Sequence, residues 1–184
     1  MKIGNSKEIN KMKNILCLGK GTQVQMGDNT LKNIESVVTG DKIISYNQGL
    51  AKTEIVEVEK IAKSFHSVIS RLKLSNGVVI ECTTDHPIWT ANKGWCSIDF
   101  KDTFANYNVS VQPLLVGDKC LVFADNKLSD STIISIDTVV GDFEMFDISG
   151  GANHCFFANS ILVHDENLME LIIDIADTFS HNAR

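Results

Sequence analysis

The sequence predicts an all-β domain with an internal duplication. Three observations carry this: short Val-, Ile- and Thr-rich runs between Gly, Asn and Asp turn signals, one segment that occurs twice, and helical periodicity confined to the two ends.

In chain order, residues 42–46 read as a strand ended by Asn47-Gln48-Gly49. Residues 53–61 alternate, with Ile55, Val56, Val58 and Ile61 set among charged neighbours. Residues 71–74 and 78–82 flank Ser75-Asn76-Gly77. The Asn76-Gly77 pair predicts a type I′ hairpin turn, because both residues accept positive φ. Residues 131–140 and 144–148 predict two more strands. Phe156, Phe157, Ile161, Leu162 and Val163 predict a hydrophobic hairpin that turns at Asn159-Ser160. Residues 99–112 read as a local insertion without an assigned role. At the ends, residues 1–16 have weak helical spacing at Ile9, Met12, Ile15 and Leu16. Residues 166–184 place Leu168, Leu171, Ile172, Ile175 and Phe179 on one face, which predicts a short amphipathic helix flanking the domain at its C-terminus.

The duplication lies in residues 36–45 and 113–122. Each copy has an apolar lead-in, a Gly-Asp-Lys turn (Gly40-Asp41-Lys42 and Gly117-Asp118-Lys119) and an apolar strand. Two copies are too few for a solenoid, so a pseudo-two-fold arrangement within one domain is expected.

Bulk properties narrow the functional classes. A chain of 184 residues suits one domain with short flanks and buries enough surface to fold without a disulfide or metal. The net charge is −6, with scattered lysines, which speaks against a nucleic-acid or anionic-membrane partner. No run approaches the ~20 apolar residues of a membrane span. The N-terminus lacks the apolar stretch of a secretory signal, and Cys17, Cys82, Cys96, Cys120 and Cys155 have irregular spacing and an odd count. A cytoplasmic protein with free thiols is expected.

Three clusters can carry chemistry. Cys17 opens Cys17-Leu18-Gly19-Lys20-Gly21-Thr22, which lacks the spacing of a phosphate-binding loop. By itself, a cysteine entering a strand is most simply a small buried apolar residue. Thr83-Thr84-Asp85-His86-Pro87 follows a strand. A hydroxyl and an imidazole held in one tight turn can grip a single amide group, one accepting and one donating. His154 and His164 bracket the hydrophobic hairpin.

Taken together and in order, these clusters resemble the Hint/intein superfamily. Cys17 with Gly21-Thr22-x-Val24, Ile34 and Gly40-Asp41-Lys42 is similar to the N-terminal intein block. Thr83-x-x-His86-Pro87 is similar to the TxxH block. Residues 144–148, then His154 to Asn159 and Val163-His164, are similar to the two C-terminal blocks. The resemblance spans residues 17–165 and implies a horseshoe-like β fold with a pseudo-two-fold axis. Residues 1–16 and 166–184 become flanks. The length leaves no room for an inserted homing endonuclease.

The resemblance also implies a self-processing reaction. Cys17 would attack the Leu16 carbonyl, exchanging the Leu16–Cys17 amide for a thioester, a single-turnover event without cofactor or metal. His86 would protonate the departing nitrogen, Thr83 would hold the amide, and Asp147 would relay or hold the thiol proton. His154 and His164 would assist at the C-terminal end. There the chain departs from the splicing pattern, with His164-Asp165-Glu166 where inteins usually have His-Asn followed by Cys, Ser or Thr. Asp165 has no amide nitrogen with which to close a succinimide, and Glu166 has no side chain suited to accept the acyl group. The pattern is thus closer to bacterial intein-like domains that favour N-terminal cleavage or acyl transfer.

The expected partners are the chain's own flanking polypeptides and an outside water, thiol or amine. Neither nucleic acid nor membrane is expected, and the domain reads as a monomer. Three alternatives stand beside this reading: a fully splicing mini-intein-like domain, an inactive Hint binding or linker module, and a zinc module built on Cys82, His86 and Cys96 with Cys120 or Cys155.

Overall fold

Strand follows strand along the chain in the computed structural model, which describes residues 15–165. The order is Leu18–Gly19 (β1), Gln23–Gln25 (β2), Leu31–Asn33 (β3), a 3-10 turn at Ile34–Ser36, Lys42–Asn47 (β4), Lys52–Glu57 (β5), Lys60–Leu74 (β6) and Val79–Cys82 (β7). It continues with Ile88–Thr90 (β8), Gly94–Ser97 (β9), Phe100–Tyr107 (α1), Gln112–Pro113 (β10), Lys119–Ala124 (β11), Lys127–Ser149 (β12), Cys155–Ala158 (β13) and Ile161–His164 (β14). The predicted all-β class holds. The helical expectations for residues 1–16 and 166–184 lie outside the described residues, apart from Ile15 and Leu16, which are not helical. The helix that is described, α1, falls in the 99–112 stretch.

Two long strands form the spine. β6 and β12 pair antiparallel from Leu74↔Ile133 to Lys60↔Ser149, with register shifts between Ile133 and Ser135 and between Val140 and Phe143. This corrects two expectations. The strands predicted at 131–140 and 144–148 are parts of β12, because the pairing continues past the second shift. The alternating run 53–61 is broken instead: Val58 leaves the strand and is fully buried. The break is forced by a crossing chain. Glu59 N donates to Ser149 O at 2.8 Å, and a Cβ on Gly150 would stand 2.0 Å from the backbone oxygen of Glu57.

The hairpin at residues 74–78 differs from expectation too. Only Gly77 has positive φ (87°), and Gly77 N donates to Leu74 O at 3.0 Å. Ser75-Asn76 are thus the centre of a turn followed by a left-handed glycine, and the Asn76 carboxamide oxygen accepts from Val78 N. Two-residue turns with two positive φ values occur instead at Asp125 (50°) and Asn126 (58°), between β11 and β12, and at Asn159 (45°) and Ser160 (68°), between β13 and β14.

The duplication is structural. Asp41 Oδ2 accepts from Val38 N at 2.9 Å, and Asp118 Oδ2 accepts from Leu115 N at 2.8 Å. Lys32 pairs with Asp41 at 2.7 Å and Lys93 with Asp118 at 2.6 Å. Gly40 N donates to Val58 O, Gly117 N to Ile133 O, Gly27 N to Lys42 O and Ala91 N to Lys119 O. Both turn glycines need φ near +90°, where an L side chain is strained.

The core runs between the two halves, with Leu18, Ile34, Leu72, Ile80, Ile88, Phe156 and Ile161 all fully buried. Each such side chain contributes about 1.5–3 kcal/mol by leaving water. The consequence for the site is that β1 is clamped on both sides: Leu18 pairs with Phe146 of β12 and with Cys82 of β7.

Candidate functional site

Cys17 sits one residue before this clamp and is fully buried, packed with Ile69 and Met145. Its backbone is held by Thr83. Cys17 N donates to Thr83 Oγ1 at 3.3 Å, and Thr83 N donates back to Cys17 O at 3.0 Å. The nitrogen of the Leu16–Cys17 peptide thus rests on the threonine hydroxyl. His86 closes the same turn, donating its N–H to Thr83 O at 3.1 Å.

The His86 ring is 1% exposed and lies against the backbone of Cys17 and of His164. Neither ring nitrogen reaches hydrogen-bonding geometry with a partner, although both backbones are near enough to favour the protonated ring. Burial outweighs that help, with the His164 ring opposing protonation as well, and the pKa is pushed down to about 3. The ring is therefore neutral at rest.

Asp147 lies on β12, buried. The register Gly19↔Met145, Leu18↔Phe146 carries one step further to set Asp147 opposite Cys17 on the same face. The sequence reading placed Cys17, Thr83, His86 and Asp147 together, and the fold brings all four to one place.

The second half of the site lies at the end of β14. His164 N donates to Pro87 O at 3.0 Å, which ties the last strand to the Thr83–His86 turn. His164 Nδ1 donates to the carbonyl oxygen of Asp165. Asp165 is 1% exposed; its Oδ2 accepts from Gly150 N at 3.0 Å and its Oδ1 stands 3.5 Å from His154 Nδ1. The two imidazoles stack with centroids 6.3 Å apart, and Trp95 meets His164 edge-on at 5.0 Å. Burial lowers the His164 pKa, against the nearby Asp165. Leu16 is buried, and the His86 ring lies against the backbone of both Cys17 and His164, so the two ends of the 17–165 segment meet at that ring.

Sequence reasoning missed several supporting residues. The 99–112 stretch had no assigned role, yet α1 braces the turn that holds Thr83 and His86. Thr103 Oγ1 donates to Asp85 O at 2.7 Å and Tyr107 donates its hydroxyl to Asp85 Oδ2 at 3.1 Å. Asp99 caps the helix by accepting from Asp102 N. Ser64 and His66 of β6 were also missed. Cys17 Sγ lies 3.1 Å from Ser64 Oγ, which lies 2.9 Å from His66 Nε2.

The remaining thiols are poor nucleophiles. Burial pushes Cys82 and Cys120 up to about 12 and raises Cys96 and Cys155. Among the described residues no group of three or more His, Cys, Asp and Glu side chains is placed to hold a metal, and no helix is long and apolar enough to cross a membrane.

Comparison with known proteins gives two kinds of likeness. The family model described as the Ataxin-1 and HBP1 module (AXH) matches residues 18–125, more than half of the chain. That match includes Thr83 and His86 but starts just after Cys17 and stops before Asp147, His154 and His164. No curated protein matches. Among solved structures, a DnaB intein from Synechocystis sp. PCC 6803 superposes with a TM-score of 0.69 at 21% identity, covering 82% of this chain and 99% of that one. A bacterial intein-like domain from Clostridium thermocellum gives 0.65 at 22% identity over 81% and 98%. The gp41-1 intein gives 0.60 at 24% identity over 83% and 100%.

Proposed function

We propose that this chain, which belongs to the Ataxin-1 and HBP1 module (AXH) family and is built on the Hint fold of inteins and bacterial intein-like domains, is a self-processing domain that cleaves at the Leu16–Cys17 bond. The observation that carries the reading is the grip of Thr83 on Cys17: the nitrogen that must leave is bonded to a hydroxyl, with the neutral His86 ring against the same backbone.

The chemistry follows from that placement. Cys17 Sγ attacks the Leu16 carbonyl carbon, the S–C bond forms, and a tetrahedral oxyanion develops on Leu16 O. Collapse breaks the C–N bond, and the nitrogen needs a proton to leave. A ring held neutral cannot begin as the acid. His86 takes up a proton from solvent as negative charge develops beside it and delivers that proton to Cys17 N, which replaces the one the thiol gave up. Thr83 keeps the amide plane fixed during attack, and Asp147 is the acidic group set beside the thiol. Overall the thiol proton is exchanged for a proton on the new amine. An outside thiol, amine or water then takes the acyl group and releases residues 1–16. The partners are accordingly the flanking segments and a small nucleophile, and the domain works as a monomer without a cofactor.

At the other end, His164 polarises the Asp165 carbonyl but Asp165 brings no amide nitrogen to attack it. N-terminal cleavage without splicing is the result we infer. Incubating the purified chain with dithiothreitol and reading intact masses tests it. Release of a fragment ending at Leu16, lost in Cys17→Ala, supports the reading; equal release from the alanine variant ends it.

A further inference from the structure

The nucleophile is sealed. Cys17 is 0% exposed, so its proton cannot pass directly to water. Two side chains of β6 connect it to the exterior. Period two along the strand puts Ser64 and His66 on one face, and the Met145↔Ser64 and Gly19↔Met145 pairings show that this is the face Cys17 shares. Cys17 Sγ, Ser64 Oγ and His66 Nε2 then form an unbroken contact series of 3.1 and 2.9 Å. Ser64 and His66 are both only partly buried, so the series runs from the sealed sulfur to solvent.

We propose that Ser64 and His66 are the route by which the Cys17 thiol loses its proton: Ser64, touching the sulfur, passes its own hydroxyl proton to His66 Nε2 while receiving the thiol proton. The inference rests on Cys17 being the nucleophile proposed above. The step balances. The S–H bond breaks, an O–H bond reforms on Ser64, an N–H bond forms on His66, and the products are thiolate and imidazolium. The imidazolium then returns its proton to water. Ser64 is the catalytic group because it touches the reacting atom, and His66 is a positioning residue that acts through it.

The surroundings of His66 suit this. Partial burial lowers its pKa, so the ring is neutral and able to accept at neutral pH. The charged group acting on it is Asp85, from the turn before β8, which opposes the lowering and would steady the imidazolium. On β12 the residue opposite is Phe143, and the neighbouring Glu144 is engaged by Lys20 and Lys63. His86 stands outside this series: its ring lies against the Cys17 backbone, where the departing nitrogen needs it, and not between the sulfur and solvent.

The test is the pH dependence of thiol-induced N-terminal cleavage in the full chain and in Ser64→Ala, His66→Ala and Asp147→Asn. The native rate should hold from neutral pH downward until His66 protonates, below the usual imidazole range. Ser64→Ala and His66→Ala should each be slower by ~100-fold at pH 6.5, the scale of losing a general base. That deficit should shrink toward pH 9 as hydroxide takes over. Added imidazole should restore part of the His66→Ala rate. If both variants keep the native profile while Asp147→Asn changes it, the relay is wrong and the carboxylate takes the proton.

Exchange of the Cys17 S–H proton with water, read by NMR, provides a measurement that needs neither cleavage nor entry of a reagent. If the native chain does not cleave but Ser64→Ala and His66→Ala slow that exchange at pH 6.5, the self-processing reading fails and the relay stands. Unchanged exchange in both variants overturns the relay whether or not the chain cleaves.

Discussion

The backbone N–H of Gly150 donates to the Asp165 carboxylate at 3.0 Å, from a position so tight that a Cβ would lie 2.0 Å from the oxygen of Glu57. One crossing of the chain therefore interrupts β5 and β6, seats Asp165, and leaves the other carboxylate oxygen facing His154.

That seating predicts what Asp165→Asn will do. The Asn oxygen would accept from Gly150 N, which directs its nitrogen toward His154 Nδ1, while His164 still polarises the backbone carbonyl. C-terminal release of residues 166–184 should switch on in the variant and be nearly absent from the native protein. Intact masses after overnight incubation decide it: abundant 166–184 fragment from unmutated protein, or none from the variant, defeats the assignment. Joining of the two flanks should stay inefficient, because Glu166 offers no acyl acceptor.

His86→Ala should slow N-terminal cleavage at least ~100-fold, the usual scale for a general acid–base group. Thr83→Ala should cost less, since it removes one 3.3 Å hydrogen bond that orients the amide and leaves the proton carrier in place. Single-turnover kinetics with excess thiol rank the two. A native rate in His86→Ala would show that another group protonates Cys17 N.

Gly150→Ala should destabilise the fold by about 3 kcal/mol, because its new methyl meets backbone and cannot be relieved by a rotamer change. Gly49→Ala is the control. There the nearest atom is 3.6 Å away, so a change within ~0.5 kcal/mol is expected. Urea midpoints measure both. Similar midpoints for the two variants would mean that the crossing yields easily.

Stability should fall with acid ahead of the carboxylates. His86 has a folded pKa near 3 and an unfolded value near 6.5, so below 6.5 the unfolded chain takes up a proton that the folded one refuses. Its contribution is complete above pH 6.5 and is lost as pH drops toward 3, at up to ~1.4 kcal/mol per pH unit. His66 and His164 are shifted in the same direction. Thermal midpoints between pH 7 and 4 should decline, and His86→Gln should flatten the slope. An unchanged slope would place the ring in a wetter site than its burial indicates.

By itself the sequence determined the strand-rich class and the duplicated Gly-Asp-Lys turns, and it singled out Cys17, Thr83, His86, Asp147, His154, His164 and Asp165 as candidates. Turn chemistry and period-two patterning are local, and motifs depend on residue type and order, so both are readable along the chain. Strand continuity was not readable. Val58 ends a strand because Gly150 crosses it, and Gly141 does not end β12 because β6 keeps pairing beyond it. The Asn76-Gly77 turn took a different form because only Gly77 needed positive φ. Tertiary structure alone decided which faces meet: it set α1 against Asp85, Gly150 under Asp165, and Ser64 with His66 beside Cys17. Contacts between residues 47 positions apart, such as Cys17 and Ser64, depend on register, and register is fixed only when every strand buries its apolar side at once.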